Sequence, residues 1–221
     1  KNRIISKCTQ SKNRILEGIS LLNDDKIFDL FKLANKAMLI SMVHSKRINN
    51  GPFELGASNT DKIDYLDAKE FFWRPFQLTF FFQVLPSLMN EEHVDRETVD
   101  LIWFSTGGGK TEAYLFLAAF ELLRRRSFFG ERGEGVAIIN RYTFQFLSMD
   151  QFQRTSVMIC ALEILRKEEL QNGNKWIGIN RFSIGLFVGG GISPNLFQDR
   201  NGNGSNDKLS QLFNEKKPRE N

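Results

Sequence analysis

Ser105-Thr106-Gly107-Gly108-Gly109-Lys110-Thr111 lies between an apolar run, 99–104, and a helix-forming run, 112–126. Three consecutive glycines let the backbone turn tightly, so that successive N–H groups can point at a polyphosphate without obstruction by a Cβ. The next two residues are also suited to a polyphosphate. Lys110 supplies a mobile positive charge for the β- and γ-phosphates, and the Thr111 hydroxyl is a ligand for Mg²⁺. The N-terminus of the following helix, which is the positive end of its dipole, points at the same anion. The stretch predicts a nucleotide phosphate site, against the alternative of a glycine-rich turn that binds nothing.

The phosphate-loop pattern G-x-x-x-x-G-K-[ST] is matched with one departure, since Phe104 stands where the pattern has glycine. The context supports the interpretation nevertheless. An apolar run that we predict to be a strand precedes the core Thr-Gly-Gly-Gly-Lys-Thr, and a predicted helix follows it.

The composition is that of a globular protein of one domain. The chain has 221 residues, of which 41% are hydrophobic. No apolar run approaches the roughly 20 residues of a membrane helix, and no hydrophobic signal segment opens the sequence. We therefore expect a cytoplasmic protein without a membrane partner. Cys8 and Cys160 are too few and too far apart for a disulfide framework or a metal cluster.

Charge and aromatic content give weaker indications. A formal net charge of +4 permits an anionic partner without identifying one. The 21 phenylalanines include the run Phe80-Phe81-Phe82, which we expect to pack in the core rather than to stack on bases. Because the sequence begins at Lys1 and not at a methionine, we expect a piece of something longer or a processed product.

The first part of the chain, 1–67, is predicted to be a helical extension followed by a linker. Residues 1–14 carry five Lys or Arg, which indicate either a nucleic-acid contact or, as we expect, a frayed terminus. Apolar residues recur at helical spacing over 15–43, with a break and cap at Asn23-Asp24-Asp25. The polar, glycine-bearing stretch 45–67 is typical of a linker or loop.

An aromatic stretch, Trp73-Arg74-Pro75-Phe76-Gln77, opens a predicted helix over 78–88. The side chain of Gln77 carries both a donor and an acceptor, which suits the hydrogen-bonding edge of adenine, and Arg74 or Trp73 could flank the base. Without the phosphate loop downstream, this stretch would indicate only a helix with aromatic packing.

The central part, 68–197, is predicted to be an α/β domain. Three apolar runs, 99–104, 135–140 and 182–188, alternate with helical runs over 112–126 and 146–169. This order predicts two βαβ units, and hence a parallel sheet with ligands at the carboxyl ends of its strands. We interpret Arg124 to Arg126 as positive charges that complement the dipole at the C-terminal end of the helix over 112–126. The final stretch, 198–221, is expected to be a disordered tail or a truncated end.

Residues of the kinds that bind the nucleic-acid backbone are predicted to lie at the same edge of the sheet. Arg141, hydroxyls such as that of Thr143, and the bare amides of Gly189 and Gly190 follow the second and third predicted strands. Such groups contact phosphate without reading sequence.

With these motifs, the chain resembles the first RecA-like domain of superfamily-two helicases. Within them it is most similar to the large helicase-related proteins of DISARM-type bacterial anti-phage systems, the DrmA kind. Residues 73–77 are similar to the adenine-sensing Q motif, and 105–114 are similar to motif I. Residues 141–147 and 151–154 occupy the place of motif Ia, and Gly189-Gly190 the place of the glycine pair in motif Ib.

The resemblance implies ATP and Mg²⁺ as cofactors, with Lys110 and Thr111 as catalytic residues and Thr111 as the Mg²⁺ ligand. The implied nucleotide contacts are Arg74, Gln77, Thr106, Gly107, Gly108, Gly109, Lys110, Thr111 and Glu112. The implied nucleic-acid contacts are Arg141, Thr143, Gln151, Gly189 and Gly190, with DNA favoured over RNA. The implied protein partners are the remainder of a helicase chain or other defence-system proteins.

Two departures from the family pattern bear on catalysis. Ser105 stands where a proline is common, a tolerable change because backbone amides bind the phosphate. No Asp-Glu-x-x pair follows the third predicted strand, so nothing in the chain completes a Mg²⁺ shell or positions an attacking water. We therefore expect the isolated chain to bind ATP weakly without hydrolysing it.

Two functions from different classes remain open. One is the ATP-binding front part of a DNA helicase or translocase in phage defence. The other is a non-catalytic nucleotide-binding or scaffolding module of a defence complex. A small-molecule kinase is disfavoured, because no lid-like arginine segment follows the phosphate loop.

Overall fold

In the computed structural model, six α-helices account for most of the residues that the structure describes, which are 2–49, 70–105, 107–142, 145–187, 197–198, 201–202 and 204–215. The helices are α1 (Asn2–Ser20), α2 (Asp25–Asn49), α3 (Pro75–Met89), α4 (Lys110–Phe129), α5 (Gln145–Gln171) and α6 (Ser205–Glu215). Single 3₁₀ turns follow α1 at Leu21–Asn23 and α4 at Gly130–Gly133. Among these described helices, none is long and apolar enough to cross a bilayer.

The predicted α/β fold with a RecA-like parallel sheet was wrong. The segments 99–104, 135–140 and 182–187, which we expected to be strands, are neither helix nor strand, and no strand occurs elsewhere in the described ranges. Val99, Trp103 and Ile139 are 92%, 88% and 85% exposed. A β-strand requires a neighbour that pairs with its backbone N–H and C=O groups, and these three segments do not form such a ladder with one another.

Helix α4 lies at the centre of the helical assembly, where it contacts α2, α3 and α5. Its apolar residues Phe116, Phe120 and Leu123 are fully buried. Helix α2 also contacts α5, and α1 packs on α3. The core is therefore formed between helices, and α2 packs on more than one of them.

A cluster of phenylalanines joins α2, α3 and α4. The ring of Phe81 lies 4.6 Å from that of Phe116 and 5.1 Å from that of Phe120, and Phe31 packs on both Phe81 and Phe116 at 5.6 and 5.7 Å. Tilted and edge-on pairs at such distances stabilise a core beyond the apolar area that they bury. The prediction that the run Phe80-Phe81-Phe82 serves core packing is confirmed for Phe81, which is fully buried.

The predicted break between the first two helices is also confirmed. Asp24 Oδ1 accepts hydrogen bonds from the backbone N–H groups of Lys26 at 2.9 Å and Ile27 at 3.1 Å. An Asp in this position satisfies N–H groups that have no partner within the helix. Asp24 therefore fixes the start of α2.

Buried arginines hold the segment 179–182 against α4 and α5. Arg126 donates to the carbonyls of Asn180 and Arg181, and its guanidinium lies 3.7 Å from the ring centre of Phe182. Arg166 of α5 donates to the carbonyl of Ile179 at 2.7 Å. The interpretation of Arg126 as a charge that only complements the helix dipole was incomplete, because this side chain is 8% exposed and bonds to another segment.

Two terminal segments differ from expectation. The basic N-terminal residues form α1 rather than a frayed end, and Gly18 lies so close to α3 that an added Cβ would be 1.9 Å from the carbonyl oxygen of Phe82. Ser205–Glu215 form α6, where the sequence predicted a disordered tail. Residues 50–69 of the predicted linker lie outside the described residues.

A buried ion pair fastens α1 to the segment that precedes the phosphate loop. The guanidinium of Arg14, which is 8% exposed, donates to both carboxylate oxygens of Asp100 at 2.8 Å. Gln83 donates to the same carboxylate at 2.8 Å. Burial by itself raises the pKa of Asp100, but the hydrogen bonds from Arg14 and Gln83 outweigh it and hold this pKa below its ordinary value of 3.8.

The variant Asp100→Asn is expected to lower the free energy of unfolding at neutral pH by about 2 kcal/mol, because the buried guanidinium of Arg14 loses a carboxylate bound through two hydrogen bonds and keeps the weaker contact with Asp95 at 3.2 Å. Since the pKa of Asp100 is lower in the folded state, its contribution is complete above about pH 4 and is lost as the pH falls through the folded-state pKa. The difference between wild type and variant should therefore shrink under acid conditions. Urea unfolding, followed by circular dichroism at several pH values, measures this difference.

The control is Asp29→Asn, which breaks an exposed pair with Lys32. It should change the free energy of unfolding by less than about 0.5 kcal/mol. Equal losses in the two variants, or a difference that does not depend on pH, would contradict the role of Asp100.

Candidate phosphate-binding site

The loop before α4 is shaped by glycines in the left-handed region of backbone conformation. Gly107 has φ 77° and Gly109 has φ 88°, values that side chains with a Cβ rarely adopt. The N–H of Gly108 donates to the carbonyl of Ser105 at 3.1 Å, which closes the turn. Thr106, a predicted nucleotide contact, lies outside the described residues.

The first turn of α4 leaves backbone N–H groups without a side-chain cap. Gly109 precedes the helix and has no side chain with which to accept a hydrogen bond from them. Uncapped N–H groups and the positive end of the helix dipole together favour an anion at this place.

Lys110 is directed back into the loop. Its Nζ donates to the carbonyl oxygens of Phe104 at 2.7 Å and Ser105 at 2.9 Å. The positive charge of the side chain therefore lies beside the turn that the glycines form.

The start of α3 holds this loop in place. Gln77 is 4% exposed, and its Nε2 donates to the carbonyl of Gly109 at 2.7 Å while its Oε1 accepts from the backbone N–H of Arg74 at 2.8 Å. The guanidinium of Arg74 donates to the carbonyl of Gly108 at 2.9 Å. The structure brings Arg74 and Gln77 to the glycines through contacts with the loop backbone that sequence reasoning missed. Both ends of the Gln77 amide are used in these bonds, and its contact with adenine stays a prediction.

Phe104, the departure from the phosphate-loop pattern, packs outside the turn. Its ring stacks on that of Phe76 with centres 4.0 Å apart and planes 16° apart. Phe76 lies in the first turn of α3, so this stack adds an apolar contact beside the hydrogen bonds of Arg74 and Gln77.

A second group of side chains connects the first turns of α4 with α5. Glu112 forms an ion pair with Arg154. The Tyr114 hydroxyl lies 2.6 Å from Gln151 Oε1 and 3.1 Å from Thr111 Oγ1, and the Tyr142 hydroxyl lies 3.2 Å from that of Tyr114. Sequence reasoning placed both tyrosines in stretches similar to helicase motifs but gave neither side chain a role of its own. One available signal was the spacing of Tyr114 from Thr111, because residues three apart share a helix face.

The predicted nucleic-acid contacts fall into three groups. Arg141 is exposed at the end of an irregular segment. Gln151 is 5% exposed and makes hydrogen bonds within the protein. Thr143, Gly189 and Gly190 lie outside the described residues. A nucleic-acid role for all five stays a prediction.

The metal prediction rests on one protein ligand. In the part of the chain that the structure describes, no group of three or more His, Cys, Asp or Glu side chains could hold a metal ion. Thr111 is the predicted protein ligand, and its role in binding Mg²⁺ stays a prediction.

The chain was compared with known proteins. No protein-family model matches the chain. It is 36% identical over 206 residues to DISARM protein DrmA of Bacillus paralicheniformis (strain ATCC 9945a / NCIMB 11709 / CD-2). The match covers 89% of this chain and 17% of that protein, so the chain spans about a sixth of the length of its relative. The predicted resemblance to DrmA-like proteins is thereby confirmed.

Substituting the loop glycines tests the packing of Gln77 against the loop. Both Gly107→Ala and Gly109→Ala place a Cβ at positive φ, at a cost of about 1 kcal/mol each. At Gly107 a Cβ would meet nothing within 4 Å, whereas at Gly109 it would lie 2.7 Å from Gln77 Nε2. Because moving the buried Gln77 breaks its hydrogen bonds, we expect Gly109→Ala to lower the free energy of unfolding by about 1–3 kcal/mol more than Gly107→Ala.

Repeating both substitutions in a Gln77→Ala background provides the control. Without the glutamine side chain, the extra cost at Gly109 should disappear, and chemical denaturation measures each variant. An equal cost at the two glycines while Gln77 is present would show that the loop and α3 are not packed together in solution.

Proposed function

We propose that this chain is the ATP-binding segment of an ATP-dependent DNA helicase or translocase that acts in anti-phage defence as part of a longer protein. The observation that carries the proposal is the loop 105–111: two glycines at positive φ, a lysine directed into the turn and an uncapped helix N-terminus meet at one place. The similarity to DISARM protein DrmA supports the defence context.

The groups of the loop suit the triphosphate of ATP. The backbone N–H groups of Gly107 and Gly109 and those at the start of α4 can donate to phosphate oxygens, while the N–H of Gly108 closes the turn. The ammonium of Lys110 would exchange two neutral carbonyl acceptors for charged phosphate oxygens, and hydrogen bonds to charged acceptors are stronger than those to neutral ones. Binding would thus turn Lys110 from the loop backbone to the nucleotide.

Thr111 suits the Mg²⁺ that accompanies ATP, since its hydroxyl lies in the first turn of α4 next to Lys110. When bound, the ion neutralises charge on the β- and γ-phosphates. Glu112, the next residue, is held by Arg154, and this ion pair ties the nucleotide end of α4 to α5.

The link between α4 and α5 supports a nucleic-acid partner. Arg141 is exposed a few residues before α5, whose early side chains Gln151 and Arg154 contact α4. A motor requires its nucleotide site and its DNA site to be coupled. The contacts between α4 and α5 offer a physical connection between the phosphate loop and the segment that carries the predicted DNA contacts.

A non-catalytic nucleotide-binding or scaffolding module is the second candidate. The observation in its favour is that the ammonium of Lys110 already has two acceptors within the loop. A loop that satisfies its own charge can be stable without a ligand.

Nucleotide binding by the purified 221-residue chain tests the proposal. We expect the wild type to bind a fluorescent ATP analogue in the presence of Mg²⁺, with no hydrolysis. Lys110→Ala should weaken binding by about 10- to 100-fold, the effect of losing a charge-assisted contact. The matched control is Lys36→Ala, which removes an exposed lysine paired with Glu168 on another face and should leave the affinity unchanged.

Each alternative outcome has a distinct meaning. Absence of ATP binding by the wild type would contradict the proposal and favour a scaffolding module. Equal affinities of wild type and Lys110→Ala would show that the nucleotide binds elsewhere. Robust hydrolysis that disappears in Lys110→Ala would show that catalytic groups are present in this chain.

A further inference from the structure

A chain of hydrogen bonds runs from α5 to the proposed Mg²⁺ ligand. Gln151 Nε2 donates to Asp150 Oδ2 at 2.9 Å, and Gln151 Oε1 lies 2.6 Å from the Tyr114 hydroxyl. That hydroxyl lies 3.1 Å from Thr111 Oγ1 and 3.2 Å from the hydroxyl of Tyr142. Four contacts therefore converge on Gln151 and Tyr114, and their chemistry fixes which group donates in each.

Asp150 determines which group donates in each of these hydrogen bonds. An ionised carboxylate only accepts hydrogen bonds, so the amide nitrogen of Gln151 must face it. The amide oxygen of Gln151 then faces Tyr114, and a carbonyl oxygen also only accepts. Tyr114 must therefore use its single hydroxyl hydrogen in the 2.6 Å contact with Gln151.

Both remaining partners of Tyr114 must then donate to it. Burial raises the pKa of Tyr142, and its hydrogen bond with Tyr114 raises this pKa further, so the Tyr142 hydroxyl keeps its proton as a donor. Thr111 likewise has one hydroxyl hydrogen, and in the 3.1 Å contact it can only be directed at the oxygen of Tyr114. The lone pairs of Thr111 Oγ1 are left without a donor from this network.

We propose that Tyr114 is a positioning residue for the Thr111 hydroxyl. It holds this hydroxyl so that the Thr111 proton is directed at the Tyr114 oxygen and the lone pairs of Thr111 Oγ1 are available to a divalent cation. This inference rests on the proposed function, because the cation is the one that accompanies the nucleotide. A hydroxyl ligand must present a lone pair to the metal, and a freely rotating hydroxyl presents its hydrogen part of the time. Tyr114 itself contacts neither the nucleotide nor the metal.

The gain in nucleotide affinity on adding Mg²⁺ tests the inference. ATP binding by the full chain is measured in Mg²⁺ and in EDTA for wild type, Tyr114→Phe and Thr111→Val. We expect Tyr114→Phe to reduce the Mg²⁺-dependent gain by about 3- to 10-fold, the effect of losing one hydrogen bond, while the affinity in EDTA stays unchanged. Thr111→Val should abolish the gain, and adding Tyr114→Phe to it should have no further effect on the gain.

The matched control removes a hydroxyl that lies outside the network. Thr155→Val deletes a hydroxyl on α5 that donates to the backbone carbonyl of Gln151 and not to its side chain, so the Mg²⁺-dependent gain of this variant should equal that of the wild type. If Tyr114→Phe does not fold, Gln151→Leu replaces it. Without an acceptor at Gln151, the Tyr114 hydroxyl can donate its proton to Thr111 Oγ1 and so occupy one of the lone pairs of Thr111. We expect the same reduction of the Mg²⁺-dependent gain as in Tyr114→Phe.

Failure of this inference and failure of the proposed function give different results. A wild type that binds no ATP overturns both. A wild type that binds ATP with a Mg²⁺-dependent gain equal to that of Tyr114→Phe overturns the role of Tyr114 alone. An equal loss of affinity in Mg²⁺ and in EDTA overturns it too, because it would show that Tyr114 supports the loop in general.

Discussion

The burial of helix α4 is the constraint on which the rest of the structure depends. Its residues Phe116, Phe120 and Leu123 are fully buried between α2, α3 and α5. A well-packed core does not allow a helix to slide, because a shift would open voids around large side chains. The first turn of α4 is therefore fixed in space, and so is the end of the loop that leads into it.

Two neighbouring helices then determine what lies around that first turn. On one side, Arg74 and Gln77 at the start of α3 bind carbonyl groups of the loop glycines. On the other side, Tyr114 and Glu112 connect the first turns of α4 to α5. The carbonyl groups of Gly108 and Gly109 are held by these contacts, and the N–H groups at the start of α4 have no side-chain cap. This arrangement is suited to an anion, since side chains bind the carbonyl groups of Gly108 and Gly109 while the helix N–H groups remain as donors.

The sequence predicted α2 to α5 and failed on the sheet for a physical reason. Helical patterns indicated these four helices because a helix satisfies its own backbone hydrogen bonds, so that its pattern is contained within the segment. The sequence did not predict the first part of α1 or α6. The apolar run at 99–104 was interpreted as a buried strand, but whether a run becomes a strand depends on a partner elsewhere in the chain. Trp103 and Val99 are exposed, so burial could not be inferred from apolar character alone. In the candidate site, the spacing of glycines and lysine predicted the loop, whereas the contacts of Gln77 with Gly109 and of Tyr114 with Gln151 join residues 32 and 37 positions apart. No local pattern specifies such pairs.

The central claim is that the loop 105–111 holds the phosphates of a nucleotide, and NMR of the backbone amides tests it most directly. Titration of the chain with ATP and Mg²⁺ should shift the amide signals of Gly107, Gly109 and Lys110 most strongly, because these N–H groups lie where we place the phosphates, whereas the N–H of Gly108 is bonded to Ser105. The side-chain amide signals of Gln77 should persist, since its bond to Gly109 lies behind the loop. Unchanged glycine signals at saturating ATP, or shifts confined to another face such as the groove between α1 and His93 to Asp95, would contradict the claim.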